Sequence, residues 1–185
     1  MHSEPTAYFL TWVTYGAWLP GDARGWVVYR GGWRLPDPVR EREAAAVMTE
    51  NACTLDRGRR LAVEEQIAAT CRRRGWILHA VNCRSNHVHA VVTAAGVTPK
   101  RVRTDLKAWA TRRLKQVDAK RVNWWAERGS VRFVNGEESL AEVVAYVRDV
   151  QDRQCAPTRS VSEGRGAAAG GGSTHLDPAA PDRPR

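Results

Sequence analysis

Apolar and polar positions fall into short blocks whose period changes along the chain. Tyr8-Phe9-Leu10-Thr11-Trp12-Val13-Thr14-Tyr15 is aromatic and β-branched and predicts a strand, ended by Gly16–Asp22. Trp26-Val27-Val28-Tyr29 and Trp33-Arg34-Leu35 flank Gly31-Gly32 and predict a small hairpin. Pro36-Asp37-Pro38 introduces a helix over about Val39 to Asn51. A second helix runs from about Arg59 to Arg74, with Leu61, Glu64, Glu65, Ile67, Ala68 and Cys71 at helical spacing and Gly75 as its stop.

Trp76–Val81 and His87–Thr93 then read as two strands joined by a short connection, an antiparallel pair. Thr98-Pro99 opens a long helix to about Val117, with Thr98 as cap and Pro99 at the first helical position. Val131–Val134 reads as a fourth strand, Asn135-Gly136 as a turn, and Glu137 to Gln154 as a last helix. This order predicts an α+β fold, an antiparallel sheet backed by helices. After Cys155 the composition shifts to Ala, Gly, Pro, Ser and Arg without aromatic residues, so 156–185 reads as a disordered tail beyond one domain of 1–155.

A 43% apolar content is enough for a core, and the formal net charge of +9 favours a polyanionic partner, nucleic acid first. Only four of the 29 basic residues are lysine, which fits codon bias in a GC-rich gene equally well. The four cysteines form no C-x-x-C pair, and no apolar run approaches a membrane span. With no signal peptide in view, a cytoplasmic location and reduced thiols are expected.

Candidate chemistry centres on Asn86-His87-Val88-His89. On a strand, two histidines two apart share a face while Val88 takes the other. The pair has three readings: a divalent-metal site, two structural histidines hydrogen-bonded in a sheet, or a zinc site completed by Cys83.

Asn86-His87-Val88-His89 resembles the HUH signature of single-tyrosine nucleases. With the strand continuing into Tyr15-Gly16-Ala17-Trp18-Leu19-Pro20-Gly21-Asp22, the helix Leu106–Leu114, and Tyr146, the chain resembles IS200/IS605-like transposases and their REP-associated relatives over most of 7–154. The resemblance implies a ferredoxin-like HUH endonuclease fold. It also implies a DNA transposase and single-strand endonuclease in which a tyrosine attacks the scissile phosphodiester. The products are a 5′-phosphotyrosine joint and a free 3′ hydroxyl, and the histidines hold a metal that draws charge from the phosphate oxygens. Implied partners are single-stranded or hairpin DNA, with a homodimer in some relatives.

Of the four tyrosines, Tyr8 and Tyr15 lie on the first strand and Tyr29 in the hairpin, where packing accounts for them. Tyr146 falls at the edge of the stripe Leu140, Val143, Val144, Val147 and Val150, and the resemblance implies that it is the nucleophile. His87 and His89 would be metal ligands. Many family members carry Gln or Asn one turn after the tyrosine, where this chain has Val150. Asp149 falls on the solvent side of the wheel and Gln151 within the stripe, so Gln151 is the preferred third ligand and Asp149 the alternative. Oxygen and imidazole donors suit Mg²⁺ or Mn²⁺.

The helix after Pro99 carries Lys100, Arg101, Arg103, Lys107, Arg112, Arg113 and Lys115, a density that fits phosphate contacts or a solvated face. Trp109 and Trp124-Trp125 read as core, or, if exposed, as base-stacking platforms. Val150 also leaves room for an alternative: a domesticated protein of the same fold that binds hairpin DNA without cutting it.

Overall fold

The computed structural model describes residues 5–28 and 31–150. Tyr29, Gln151, Cys155 and the tail 156–185 lie outside them. Six strands and four helices follow the chain: β1 (Ala7–Val13), β2 (Trp26–Val28), β3 (Gly32–Arg34), α1 (Pro38–Ala46), α2 (Arg57–Arg74), β4 (Ile77–Cys83), β5 (His87–Thr93), α3 (Pro99–Lys115), β6 (Ser130–Val134) and α4 (Glu137–Ala145). A π turn, Tyr146–Val150, continues α4. Set aside the β2–β3 hairpin, α1 and the last helix α4, and the order is βαββαβ, the ferredoxin-like sequence of elements. The four long strands form one antiparallel sheet in the order β4-β5-β1-β6.

Alternation sorts each strand's side chains between two cores. Leu10 and Trp12 of β1, Val88, Ala90 and Val92 of β5 and Cys83 of β4 pack against α2 and α3 with Val63, Ile67, Val102, Leu106 and Ala110. Ala7, Ala80, Val91 and Val134 meet Val143 and Val147, with Phe9, Leu140 and Tyr146 at the margin. The sheet is therefore covered on one face by α2 and α3 and on the other by α4 and the π turn.

Local chemistry sets the element ends. The Asp56 carboxylate accepts from the Arg59 backbone N–H at 2.8 Å and caps α2. Gly75 ends α2 in the left-handed conformation (φ 69°), where its N–H turns back to carbonyls of the last turn. Thr98 and Pro99 begin α3 as expected.

Three expectations change. The helix expected to reach Asn51 ends at Ala46. The chain after it becomes a tether instead: the Glu50 carboxylate accepts from the N–H groups of Val122 and Asn123, and the Thr49 N–H donates to the Tyr15 hydroxyl. The last helix keeps α geometry only to Ala145 and then widens into the π turn. A third difference lies in α2, whose buried residues are Ala62, Val63, Ile67, Thr70 and Cys71, while Leu61 is half exposed.

Candidate active site

His87 and His89 lie on β5 between β4 and β1, on the face that α4 covers. In register, Asn82 of β4 and Thr11 of β1 flank His89 on either side. His89 is buried, and its Nδ1 lies 2.8 Å from the Thr11 hydroxyl. Its Nε2 is also buried and has no hydrogen-bond partner. A proton on Nδ1, donated to Thr11, leaves Nε2 as a bare lone pair. Burial, then the neighbouring His87, then Arg84 push the His89 pKa down to about 3, so the ring is neutral near pH 7.

His87 is half-buried, and its Nδ1 meets the Asn86 side-chain carbonyl at 2.7 Å. An amide oxygen only accepts, so Nδ1 carries the proton and Nε2 keeps the lone pair. The two imidazole centroids are 4.7 Å apart. With Nδ1 protonated in both rings, each imidazole would ligate through Nε2. An orphaned, buried imidazole nitrogen is what a metal-accepting histidine leaves, so the pair fits a divalent ion.

Tyr146 comes to the same place. Its ring is half-buried and packs edge-on against His89, centroid to centroid 6.3 Å, and against Phe9 at 6.2 Å. Phe9 in turn stacks on His89 at 5.4 Å and 24°. These contacts lie within one chain. Tyr8 and Tyr15 pack against the α2–α3 face instead. The Tyr8 hydroxyl donates to the Val97 carbonyl, and the Tyr15 hydroxyl accepts from Thr49.

Two contacts that the sequence did not announce hold the π turn on the sheet. Asn82 Nδ2 donates to the Val147 carbonyl at 3.0 Å. Arg148 donates to the His79 carbonyl at 2.7 Å, and His79 is the residue at which the β4–β5 register shifts. A bulged residue drops out of the ladder, so its carbonyl is available to a side chain. Alternation along β4 would have placed Asn82 beside His89; nothing in the sequence marks the bulge.

The zinc reading with Cys83 fails. Cys83 pairs with Val88 and shares its face, under α2 and α3, opposite the histidines. Burial raises its thiol to about 12, far from a thiolate ligand. Among the described residues no group of three His, Cys, Asp or Glu side chains could hold a metal. Asp149 is exposed, and Gln151 lies outside the described residues.

The expected phosphate-binding helix is largely committed to the fold. Lys107 Nζ donates to the Ala126 carbonyl at 2.6 Å and Arg103 to that of Gly129 at 2.6 Å, fastening the segment before β6. Burial, and Arg103 nearby, lower Lys107 to about 8. Arg101 and Arg74 pair with the buried Asp105 at 3.3 and 2.9 Å. Trp124 is core. Trp109 is half-buried beneath the guanidinium groups of Arg112 and Arg73, at 4.6 and 5.4 Å from its ring centre. Among the described residues no helix is long and apolar enough to cross a membrane.

A solved structure shares this architecture. A REP-associated tyrosine transposase solved bound to a REP hairpin superposes with a TM-score of 0.50 at 10% identity, covering 84% of this chain and 72% of that one. A candidate transposase from Deinococcus radiodurans superposes with a TM-score of 0.44 at 15% identity, over 80% of this chain and 92% of that one. No curated protein matches. The family profile described as "Transposase IS200 like" matches residues 46–150, a span that holds the histidine pair and Tyr146 together, and the chain belongs to that family.

Proposed function

We propose that this transposase-family protein is a single-strand DNA endonuclease and strand transferase that cuts by attack of the Tyr146 hydroxyl. The supporting observation is the packing of the Tyr146 ring against His89, whose buried Nε2 has no partner. The tyrosine oxygen bonds to phosphorus while the bond to the 3′ oxygen breaks. The phenol loses its proton and the 3′ oxygen gains one, so the products are a 5′-phosphotyrosine joint and a 3′ hydroxyl. One phosphodiester replaces another, and the strand can be rejoined without an external energy source.

His87 and His89 would hold Mg²⁺ or Mn²⁺ through Nε2, and the ion, when bound, would draw charge from the non-bridging oxygens of the scissile phosphate. We assign the third protein donor to Gln151. Gln151 falls within the apolar stripe of the helical wheel, where a polar side chain needs a partner. Because Tyr146 meets His89 of its own chain, a single chain carries both halves of the site. By analogy with the fold neighbour's bound hairpin, the substrate is a single strand beside a DNA hairpin.

The test is incubation with labelled single strands from the gene's own flanks, with and without Mn²⁺, followed by denaturing electrophoresis. A metal-dependent protein–DNA conjugate is expected from the natural chain and none from Tyr146→Phe, which keeps the ring contacts. A conjugate that survives Tyr146→Phe assigns the nucleophile elsewhere. Hairpin binding with no conjugate under any divalent metal would establish the non-cleaving alternative.

A further inference from the structure

Outside the sheet's free edge at β4 lies a cleft of about 490 Å³, walled by the first turns of α2, the end of β4 and the π turn. Among the described residues four guanidinium groups line it, from Arg57, Arg60, Arg84 and Arg148, against one carboxylate, Glu64. That carboxylate is already engaged, accepting from the Cys83 backbone N–H at 2.7 Å. Arg60 Nε is buried with no hydrogen-bond partner. Leu61, the α2 residue that departs from the expected core face, is half exposed and lines the same cleft.

The cleft adjoins the candidate active site through three of its lining residues. Asn82 stands opposite His89 in the β4–β5 register. The Arg84 N–H donates to the His87 carbonyl at 2.8 Å, closing the hairpin that carries the histidines. Arg148 follows Tyr146 by two residues. A chain of phosphates leaving the histidine pair across Asn82 would enter this cleft at the β4 edge, and none of the cationic side chains of α3 lines it.

We infer that this cleft binds backbone phosphates of the DNA strand that is cut, with Arg57 and Arg60 as phosphate contacts and Leu61 as an apolar rest for a sugar or base. The inference rests on the nuclease reading for which strand it holds, and it is tested without cleavage. Each phosphate contact on a single strand contributes about 0.7 to the slope of log affinity against log salt. A labelled oligothymidylate strand is titrated with the full chain in EDTA at several salt concentrations.

Arg57→Gln, at an exposed position, is expected to lower the slope by about 0.7, and Arg57→Gln with Arg60→Gln by about 1.4. Arg57→Lys should keep the natural slope. Arg112→Gln with Arg113→Gln, on α3 and outside the cleft, should leave it unchanged. An unaltered slope in both cleft variants, a loss confined to the α3 pair, or no binding by the natural chain would each overturn the inference. The two readings fail separately: binding with these slopes but no tyrosine conjugate sinks the nuclease and leaves the cleft. A conjugate with unaltered slopes does the reverse.

Discussion

The side-chain amide of Asn82 donates to the main-chain carbonyl of Val147 at 3.0 Å, tying the strand position opposite His89 to the residue that follows Tyr146. A π turn widens the helix locally, and such turns recur at functional sites. Here the carbonyl is taken by a side chain rooted beside the histidines, so Tyr146 and the imidazoles share one rigid support.

Asn82→Ala removes that tie. A hydrogen bond worth about 0.5–1.5 kcal/mol corresponds to a fall of about 2- to 12-fold in the rate of conjugate formation. The rate is measured at saturating DNA and divided by the folded fraction. A merely structural role would lower the folded fraction and leave the corrected rate alone, and that outcome would remove Asn82 from the positioning of Tyr146.

Thr11 orients His89 through Nδ1. Partners behind a metal-bound imidazole typically hold about 10- to 100-fold of metal affinity. Thr11→Val keeps the shape and deletes the hydroxyl. The Mn²⁺ concentration for half-maximal cleavage should rise within that range, with the full rate recovered at excess metal. An unchanged Mn²⁺ requirement would show that Thr11 does not set the ring. Chelation with EDTA should abolish cleavage by the natural chain, restored by added Mn²⁺.

Much of this arrangement was legible before any coordinates. The strand His87–Thr93, the caps Thr98 and Gly75, the antiparallel sheet and the half-buried margin position of Tyr146 all follow from alternation, helical period and turn chemistry. What stayed hidden depends on partners distant in sequence. Glu50 turns an expected helix end into a tether because Val122 and Asn123 lie beside it. Leu61 matched helical spacing, but the arginine-rich flanks of α2 blur its apolar face, and the core takes Ala62, Val63 and Thr70 instead. The π turn and the bulge at His79 are each a one-residue departure from regular geometry, stitched together by Arg148, and no local composition announces them.

Trp109 has a role that separates packing from stacking. Guanidinium groups from α2 and α3 lie over its ring, which favours a structural part. Each cation–π contact is worth about 0.5–1 kcal/mol near a surface, so Trp109→Leu should cost about 1–2 kcal/mol in urea denaturation. Single-strand affinity should not change. A weakening of about 1–3 kcal/mol in strand binding at unaltered stability would instead identify the ring as a base platform.

The buried thiols set how the fold responds to alkali. Burial raises Cys71 from an ordinary 9.0 to about 11, and burial followed by Glu64 raises Cys83 to about 12. Above pH 9 the unfolded chain loses these protons while the folded chain keeps them. A raised folded pKa therefore contributes stability that is whole below about 9 and drains as pH climbs toward 11 to 12, by up to about 1.4 kcal/mol per pH unit for each thiol. Between pH 8 and 11 urea denaturation should show the natural chain losing stability with pH relative to Cys71→Ala with Cys83→Ala, the opposing rise from Lys107, held down to about 8, being common to both. Both substitutions leave cavities, whose cost does not depend on pH, so the comparison is between slopes and not absolute stabilities. A double variant that keeps the natural slope would mean that other groups drive the alkaline loss and that these thiols ionise in the folded state as readily as in the unfolded chain.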